Sequence, residues 1–353
     1  MGEVGRRAGI CHIVRRQGRD SRFVRRERRS PEQPPPRHDN QGAIMPTGIS
    51  YLDEVWQPVT GCSPCSPGCE NCYAATMAQT GRLRNHRRYR GLSKHAKSES
   101  GLTIGKWTGE VRCNEEDLTQ PLRWKKPRTI GTVFMGDLFH PAVPFAFLDK
   151  VFAVMALCLQ HTFVTCMKRA ERMREYLTES DTERRVAAGM GAYRLDAPWR
   201  GLDGLWPLPN VHLGVTVESH GQTNRIVHLL KAPAAHRWLS IEPMLGPVDL
   251  TNVANKTRPP AVISGSVLGS DGRGFTPGGA NGTGIDGVIL GCESGPNRRP
   301  FDLDWARRVR DDCQAAGVKL YVKQLSIDGK VVTAPALFPE GLRSRELSWK
   351  VNK

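Results

Sequence analysis

Six short apolar, β-branched runs in this chain each end on charged or polar groups, and longer amphipathic runs separate them. Residues 132–136 lead to Asp137, 162–167 to Lys168 and Arg169, 212–217 to Glu218, 237–241 to Glu242, 287–292 to Glu293, and 319–322 to Lys323 and Gln324. Strand-length runs alternating with helix-length runs are the βα pattern of a parallel sheet. With the segment before Cys62 as a first strand there are about seven βα units, which predicts an α/β fold built as a complete or partial parallel (β/α) barrel of about six to eight strands. A doubly wound open sheet is the competing architecture, but it usually places a glycine-rich phosphate loop after its first strand, where this chain has cysteines. In a barrel the C-terminal strand ends share one mouth, so the charged residues should converge there.

The cysteines are the second constraint. Cys62, Cys65, Cys69 and Cys72 fall in the run Gly61-Cys-Ser-Pro-Cys-Ser-Pro-Gly-Cys-Glu-Asn-Cys-Tyr73. Read from Cys65 the spacing is C-x3-C-x2-C, which lets three thiolates hold a [4Fe-4S] cluster and leaves one iron without a protein ligand. In radical enzymes that iron is chelated by S-adenosylmethionine, and an electron from the cluster cleaves the sulfonium to a 5′-deoxyadenosyl radical. Two plainer readings compete. Four thiolates could hold a structural zinc, although such sites usually draw their pairs from separated hairpins. A disulfide would need an oxidising compartment, and no apolar signal-peptide core precedes the cluster.

Strand-end residues offer what S-adenosylmethionine needs: carboxylates for its ammonium and ribose hydroxyls, a cation for its carboxylate. Asp137, after Gly136, is assigned to the amino group, Lys168 or Arg169 to the carboxylate, and Glu218 to the ribose or the substrate; Tyr73, directly after Cys72, joins this cofactor-binding set. Glu242 is likewise a candidate for the ribose or the substrate, and Glu293 and Lys323 for substrate binding or proton transfer; these three form the catalytic set. The plainer reading makes such carboxylate–cation neighbours buried salt bridges that fix the barrel. His161, His228 and His236 read as surface or packing residues, whereas His140, just past the second strand, is worth testing as a functional group.

The remaining segments organise around this core. Residues 1–44 carry eleven arginines, no lysine and a proline-rich run, and are expected to be a disordered basic extension. It reads either as a nucleic-acid-binding arm or as a stretch upstream of a natural start at Met45. The barrel is expected over 45–330, with a glycine-rich surface insertion at 264–284 and a C-terminal tail at 331–353. Helices are expected at 145–160, after Pro144, and at 304–316, closing at Gly317. No stretch approaches the roughly 20 consecutive apolar residues of a membrane helix, so a soluble, cytoplasmic protein is expected. The net charge of +16 points to a polyanionic partner.

Several motifs together resemble the phage and prophage three-cysteine-motif proteins: Trp56-Gln-Pro-Val-Thr-Gly-Cys62, Ser66-Pro-Gly-Cys69-Glu-Asn-Cys72-Tyr-Ala, Gly136-Asp-Leu-Phe-His140, Ser240-Ile-Glu-Pro-Met-Leu-Gly-Pro247, Cys292-Glu-Ser-Gly-Pro296 and Val322-Lys-Gln324. The resemblance covers about 45–324 and implies a divergent relative of the radical S-adenosylmethionine enzymes, of unassigned reaction. It also implies a C-x6-C-x2-C ligand set of Cys62, Cys69 and Cys72, with Cys65 an additional thiol that can substitute for Cys62. The leading expectation is therefore a radical enzyme acting on an unidentified substrate, with a nucleobase, nucleotide or nucleic acid as the class and flavodoxin or ferredoxin as electron donor. The expectation from a different class is a non-catalytic, zinc-containing nucleic-acid-binding protein.

Overall fold

In the computed structural model, residues 12–13, 48–193, 202, 204–254, 262–264, 284–347 and 349 are described. Seven strands run parallel in the order in which the chain makes them: β1 (Glu54–Trp56), β2 (Thr129–Thr132), β3 (Thr162–Met167), β4 (Val211–Thr216), β5 (His236–Ile241), β6 (Gly287–Gly291) and β7 (Lys319–Ile327). An eighth strand, β8 (Lys330–Val332), folds back antiparallel on β7. Every parallel neighbour is the next strand in sequence, which is the order of a barrel; a doubly wound sheet reverses direction at a switch point. The fold is α/β, with a mostly parallel eight-strand sheet and interleaved helices forming a partial (β/α) barrel.

Side chains alternate across these strands because successive residues of a strand point to opposite faces. Outward positions such as Phe163, Leu213, Val215, Leu239, Val288, Leu290 and Val322 join the main core. That core lies against α3 (Phe145–Leu157), α4 (Ala170–Thr178), α5 (Thr182–Gly191), α6 (Asn224–Lys231) and α7 (Leu303–Ala315). Inward positions Val164, Trp238, Ile289 and Tyr321 instead gather with Tyr51, Leu52 and Leu347 in a second cluster that fills the barrel floor.

Two helix ends behave as their residues dictate. In α3, Pro144 is the N-cap rather than a first-turn residue, and the helix stops at Leu157, three residues short of the expected end. In α7, the Asp302 side chain caps the amide of Asp304, and Gly317 adopts φ 67°, the left-handed conformation that a helix-terminating glycine takes readily.

Three sequence expectations need correction or placement. The second strand is Thr129–Thr132, not 132–136: Val133 takes φ 60° and turns the chain, and Gly136 returns as a single bridge to Gly61. In the C-terminal tail at 331–353, Phe338, Leu342 and Leu347 are buried. The amides of Val322 and Glu346 donate to the carbonyls of Ser344 and Leu320, so this segment covers the open edge of β7. The contact of Ser50 Oγ with Tyr321 Oη (2.7 Å) and the edge-on packing of Tyr51 on Tyr321 bring the entry to β1 against β7. Most of the basic extension and of the 264–284 insertion lies outside the described residues. His12–Ile13 pair with Arg112–Cys113, and Val262–Ser264 form a hairpin with Asn252–Ala254. No helix among the described residues is long and apolar enough to cross a membrane.

Candidate active site

After β1 the chain passes through Val59–Thr60 and enters the cysteine loop, which makes one 3₁₀ turn at Pro67–Cys69. It then begins α1 (Tyr73–Ala78), with Cys72 at the N-cap. Three strand-end clusters hold this loop over the mouth. At the end of β4, Glu218 is fully buried and accepts from Ser66 Oγ at 2.5 Å and from Arg225 Nη1 at 2.7 Å; Lys168 Nζ lies 3.7 Å away. The loop comes so close that a Cβ on Gly68 would overlap the Glu218 carboxylate. At the end of β6, Glu293 is paired by Arg299 and accepts from Asn71 Nδ2 at 3.0 Å, while Arg299 Nη1 donates to the Pro67 carbonyl at 2.9 Å.

Past β3, Arg169 Nη1 pairs with Asp137 at 2.8 Å and approaches Cys62 Sγ at 3.5 Å. Its other nitrogen donates to the carbonyl and hydroxyl of Ser63, at 2.8 and 2.7 Å. His140 completes this cluster. Its Nδ1 accepts from the Ala142 amide, which leaves Nε2 to donate to Ser63 Oγ at 2.8 Å. Burial, and then the Arg169 charge, push the His140 imidazole down to about 4, so it is neutral at physiological pH.

The loop and the strand ends enclose a cavity of about 570 Å³. It is lined by Cys62, Cys65, Cys69 and Cys72, and also by Tyr73, Gly136, Asp137, Lys168, Glu242, Glu293 and Lys323. The structure thus brings eleven of the sequence-derived candidates, Arg169 among them, and Gly136 to one space. Glu218 and His140 lie outside the lining: Glu218 sits beneath the loop, and its carboxylate is taken up by Ser66 and Arg225. Asp137 borders the cavity but already accepts from Arg169 and from the Phe139 amide. Tyr73 is 46% exposed at the rim, and its hydroxyl donates to the Phe134 carbonyl at 2.7 Å.

Below the mouth, the inward positions of β3, β4 and β5 carry Cys166, Thr216 and Ser240, all in the cavity lining. Cys166 Sγ and Thr216 Oγ1 are 3.3 Å apart. Across from them Lys323 Nζ meets Glu242 Oε1 at 2.5 Å, the only ion pair among the described residues whose two partners both border the cavity without touching the cysteine loop.

The donor set fits a thiolate-bound cluster in its chemistry. All four loop cysteines are free thiols, whereas Cys113, outside the loop, is disulfide-bonded. Cys69 is the thiolate of its pair with Cys65: the hydrogen bond from the Cys65 thiol lowers its pKa, and the nearby Lys168 charge adds to this. Burial, and next Asp137, push the Cys62 thiol up to about 12. Burial opposes the Lys168 charge, but Glu218 and the neighbouring sulfurs outweigh it and hold the ammonium above its ordinary value. Among the described residues no group of three or more His, Cys, Asp or Glu is drawn together to hold a single ion.

The residues that sequence reading missed are the loop's anchors, Ser63, Ser66, Asn71, Arg225 and Arg299. One signal was present: Glu218 and Glu293, both at strand ends, are followed seven and six residues later by an arginine.

A family model described as a protein of unknown function (DUF5131) matches residues 46–334. No curated protein matches the chain, and neither does any solved structure.

Proposed function

This chain belongs to the DUF5131 family, and we propose that it is a radical S-adenosylmethionine-type enzyme whose cysteine loop holds a [4Fe-4S] cluster at the barrel mouth. The observation that carries the proposal is the convergence of four free loop cysteines and the strand-end charges on one cavity at the C-terminal face of a parallel barrel, the face where such barrels build active sites. Cys62, Cys69 and Cys72 would hold the cluster, with Cys65 able to replace Cys62. When bound and reduced, it would supply the one-electron cleavage of S-adenosylmethionine that yields a 5′-deoxyadenosyl radical.

The chain's own groups prepare that chemistry. Lys168 favours the thiolate form of Cys69, and the Arg169 charge offsets part of the burial that raises Cys62. Arg169 is fixed by Asp137 and Ser63, so its charge stays in place as the cavity fills. Glu218 and Glu293 bind the loop rather than a ligand, and each is paired with an arginine. Burial acts against the Glu293 carboxylate, yet the Arg299 and Asn71 hydrogen bonds together keep its pKa below the ordinary value. Glu242 and Lys323 remain for the substrate: a proton can pass at Lys323 Nζ or Glu242 Oε1 without loosening the loop. The substrate class we assign is a nucleobase, nucleotide or nucleic acid, with a flavodoxin or ferredoxin as electron donor.

The test is the Cys69→Ala/Cys72→Ala double variant, purified without oxygen. We expect it to lose iron uptake and reductive cleavage of S-adenosylmethionine together. Full retention of either would overturn the assignment.

A further inference from the structure

Between α1 and β2 the chain makes an excursion from the βα pattern. It consists of α2 (Gly81–Arg84) and a hairpin of Ser93–Lys97 with Thr103–Trp107. Its buried side is a small apolar core of Ala74, Ala75, Ala78, Tyr89, Leu92 and Trp107, against which Cys62 and Cys72 pack. The fit is close: Ser93 Oγ donates to the Ala75 carbonyl at 2.8 Å, and a Cβ on Gly105 would overlap that same carbonyl. The excursion is therefore fixed to the helix that forms the cavity wall.

The excursion is strongly basic: residues 81–107 contain eight arginines and lysines and a single acidic residue, Glu99. Arg87 and Arg88 are neutralised by Glu116 and Asp117. Arg82, Arg84, Arg90, Lys94 and Lys97 are exposed and form no ion pair among the described residues. A protein surface usually mixes its charges, so five exposed cations without ion pairs, on an excursion packed against the cavity wall, mark a site for a polyanion. On the adjoining helix, Tyr73 and Met77 are each 46% exposed, lie one turn apart, and both border the cavity.

We infer that this excursion is a docking surface for a single strand of nucleic acid: its cations take the phosphates, and one unstacked base passes Tyr73 and Met77 into the cavity. The single strand follows from the chemistry, since a base reaches an enclosed cavity only when it is out of the stack, and an aromatic rim beside a basic track is how strands are held without a sequence code. The inference rests on reading the cavity as the reacting site; it does not depend on which metal the cysteines hold.

The test is fluorescence anisotropy of the full chain with a labelled oligothymidylate, a matched oligouridylate and a matched duplex, over a range of salt. We expect the single strands to bind more tightly than the duplex, and the Arg82→Glu/Arg84→Glu/Lys94→Glu/Lys97→Glu variant to bind about tenfold to a hundredfold more weakly, with a shallower salt dependence. The deoxy and ribo strands together decide whether the ligand is DNA or RNA. Unchanged affinity in a variant with an unchanged melting temperature, or equal binding of duplex, would overturn the inference. Strand binding without iron uptake would sink the radical mechanism and leave this surface standing; iron uptake without strand binding would do the reverse.

Discussion

At the floor of the barrel the inward positions of the strands carry Val164, Trp238, Ile289 and Tyr321, sealed by Tyr51 and Leu347. Two residues further along, the same faces carry Cys166, Ser240 and Lys323, and beyond them Lys168 and Glu242, bordering an open cavity. Because side chains repeat every second residue, β3 and β5 each grade from apolar to polar to charged within five residues. The floor is closed by contact area, and its removal should cost stability. The mouth is held by a few charged anchors around an empty space, and its removal should cost function. Four of the six charged strand ends thus divide into two kinds: Glu218 and Glu293 fasten the cysteine loop, while Glu242 and Lys323 face the cavity.

The largest expected effect separates the two ends by stability. Trp238 is almost fully buried in the floor cluster, so Trp238→Ala should lower the unfolding free energy by roughly 3–5 kcal/mol, read by urea denaturation. Equal stability of the variant would mean that the floor is not what closes the barrel. Next is Glu218→Ala, which leaves the buried Arg225 without its carboxylate and frees Ser66; a loss of about 3–5 kcal/mol is expected, together with weakened iron uptake. Glu218→Gln, which keeps an acceptor for Ser66, should lose less of both. If Glu218→Ala instead spares iron uptake, the loop does not need this anchor.

Lys323→Gln probes the opposite corner. The Glu242–Lys323 pair is partly exposed, and surface pairs contribute about 0–1 kcal/mol, so the melting temperature should barely move. Turnover, once a substrate is in hand, should fall by about 10²–10⁴-fold if Lys323 transfers a proton. A large stability loss with unchanged turnover would move this pair into the structural class.

The smallest effects are those of pH. His140 at the mouth and His212 at the floor are both held neutral, pushed from 6.5 to about 4 and about 3; burial is the main cause in each, with Arg169 second for His140 and the stacked His236 second for His212. A folded pKa below the unfolded one means that the unfolded chain takes up the proton first. Stability is therefore complete above pH 6.5 and declines as pH falls toward 4 and then 3. His212→Phe should flatten this decline more than His140→Gln does, measured as melting temperature against pH; the reverse order would show that the mouth is the more tightly closed end.

Much of this was legible because strand and site obey the same short-range rule. Short apolar, β-branched runs separated by amphipathic ones identified the parallel strands, and the charged residue after each run identified the mouth. The second strand was displaced because Val133, Phe134 and Met135 continue the apolar run although the chain has already turned; Val133 and Met135 are buried in the mouth walls rather than in the sheet. The anchors were hidden for a different reason. Whether a strand-end carboxylate faces a cavity or a neighbouring arginine depends on a loop some 150 or 220 residues earlier in the chain, as with Ser66 and Glu218 or Asn71 and Glu293. The basic excursion was legible as composition in residues 81–97, but only its packing on α1 places it beside the cavity.

The central claim is that the four-cysteine loop holds an iron–sulfur cluster with an iron open to S-adenosylmethionine. The most direct test is anaerobic reconstitution of the full chain with iron and sulfide, followed by metal analysis and the electron paramagnetic resonance spectrum of the reduced protein with and without S-adenosylmethionine. The account predicts about four irons per chain and a spectrum that changes when the cofactor is added. One zinc per chain, no iron uptake and no response to the cofactor would contradict it.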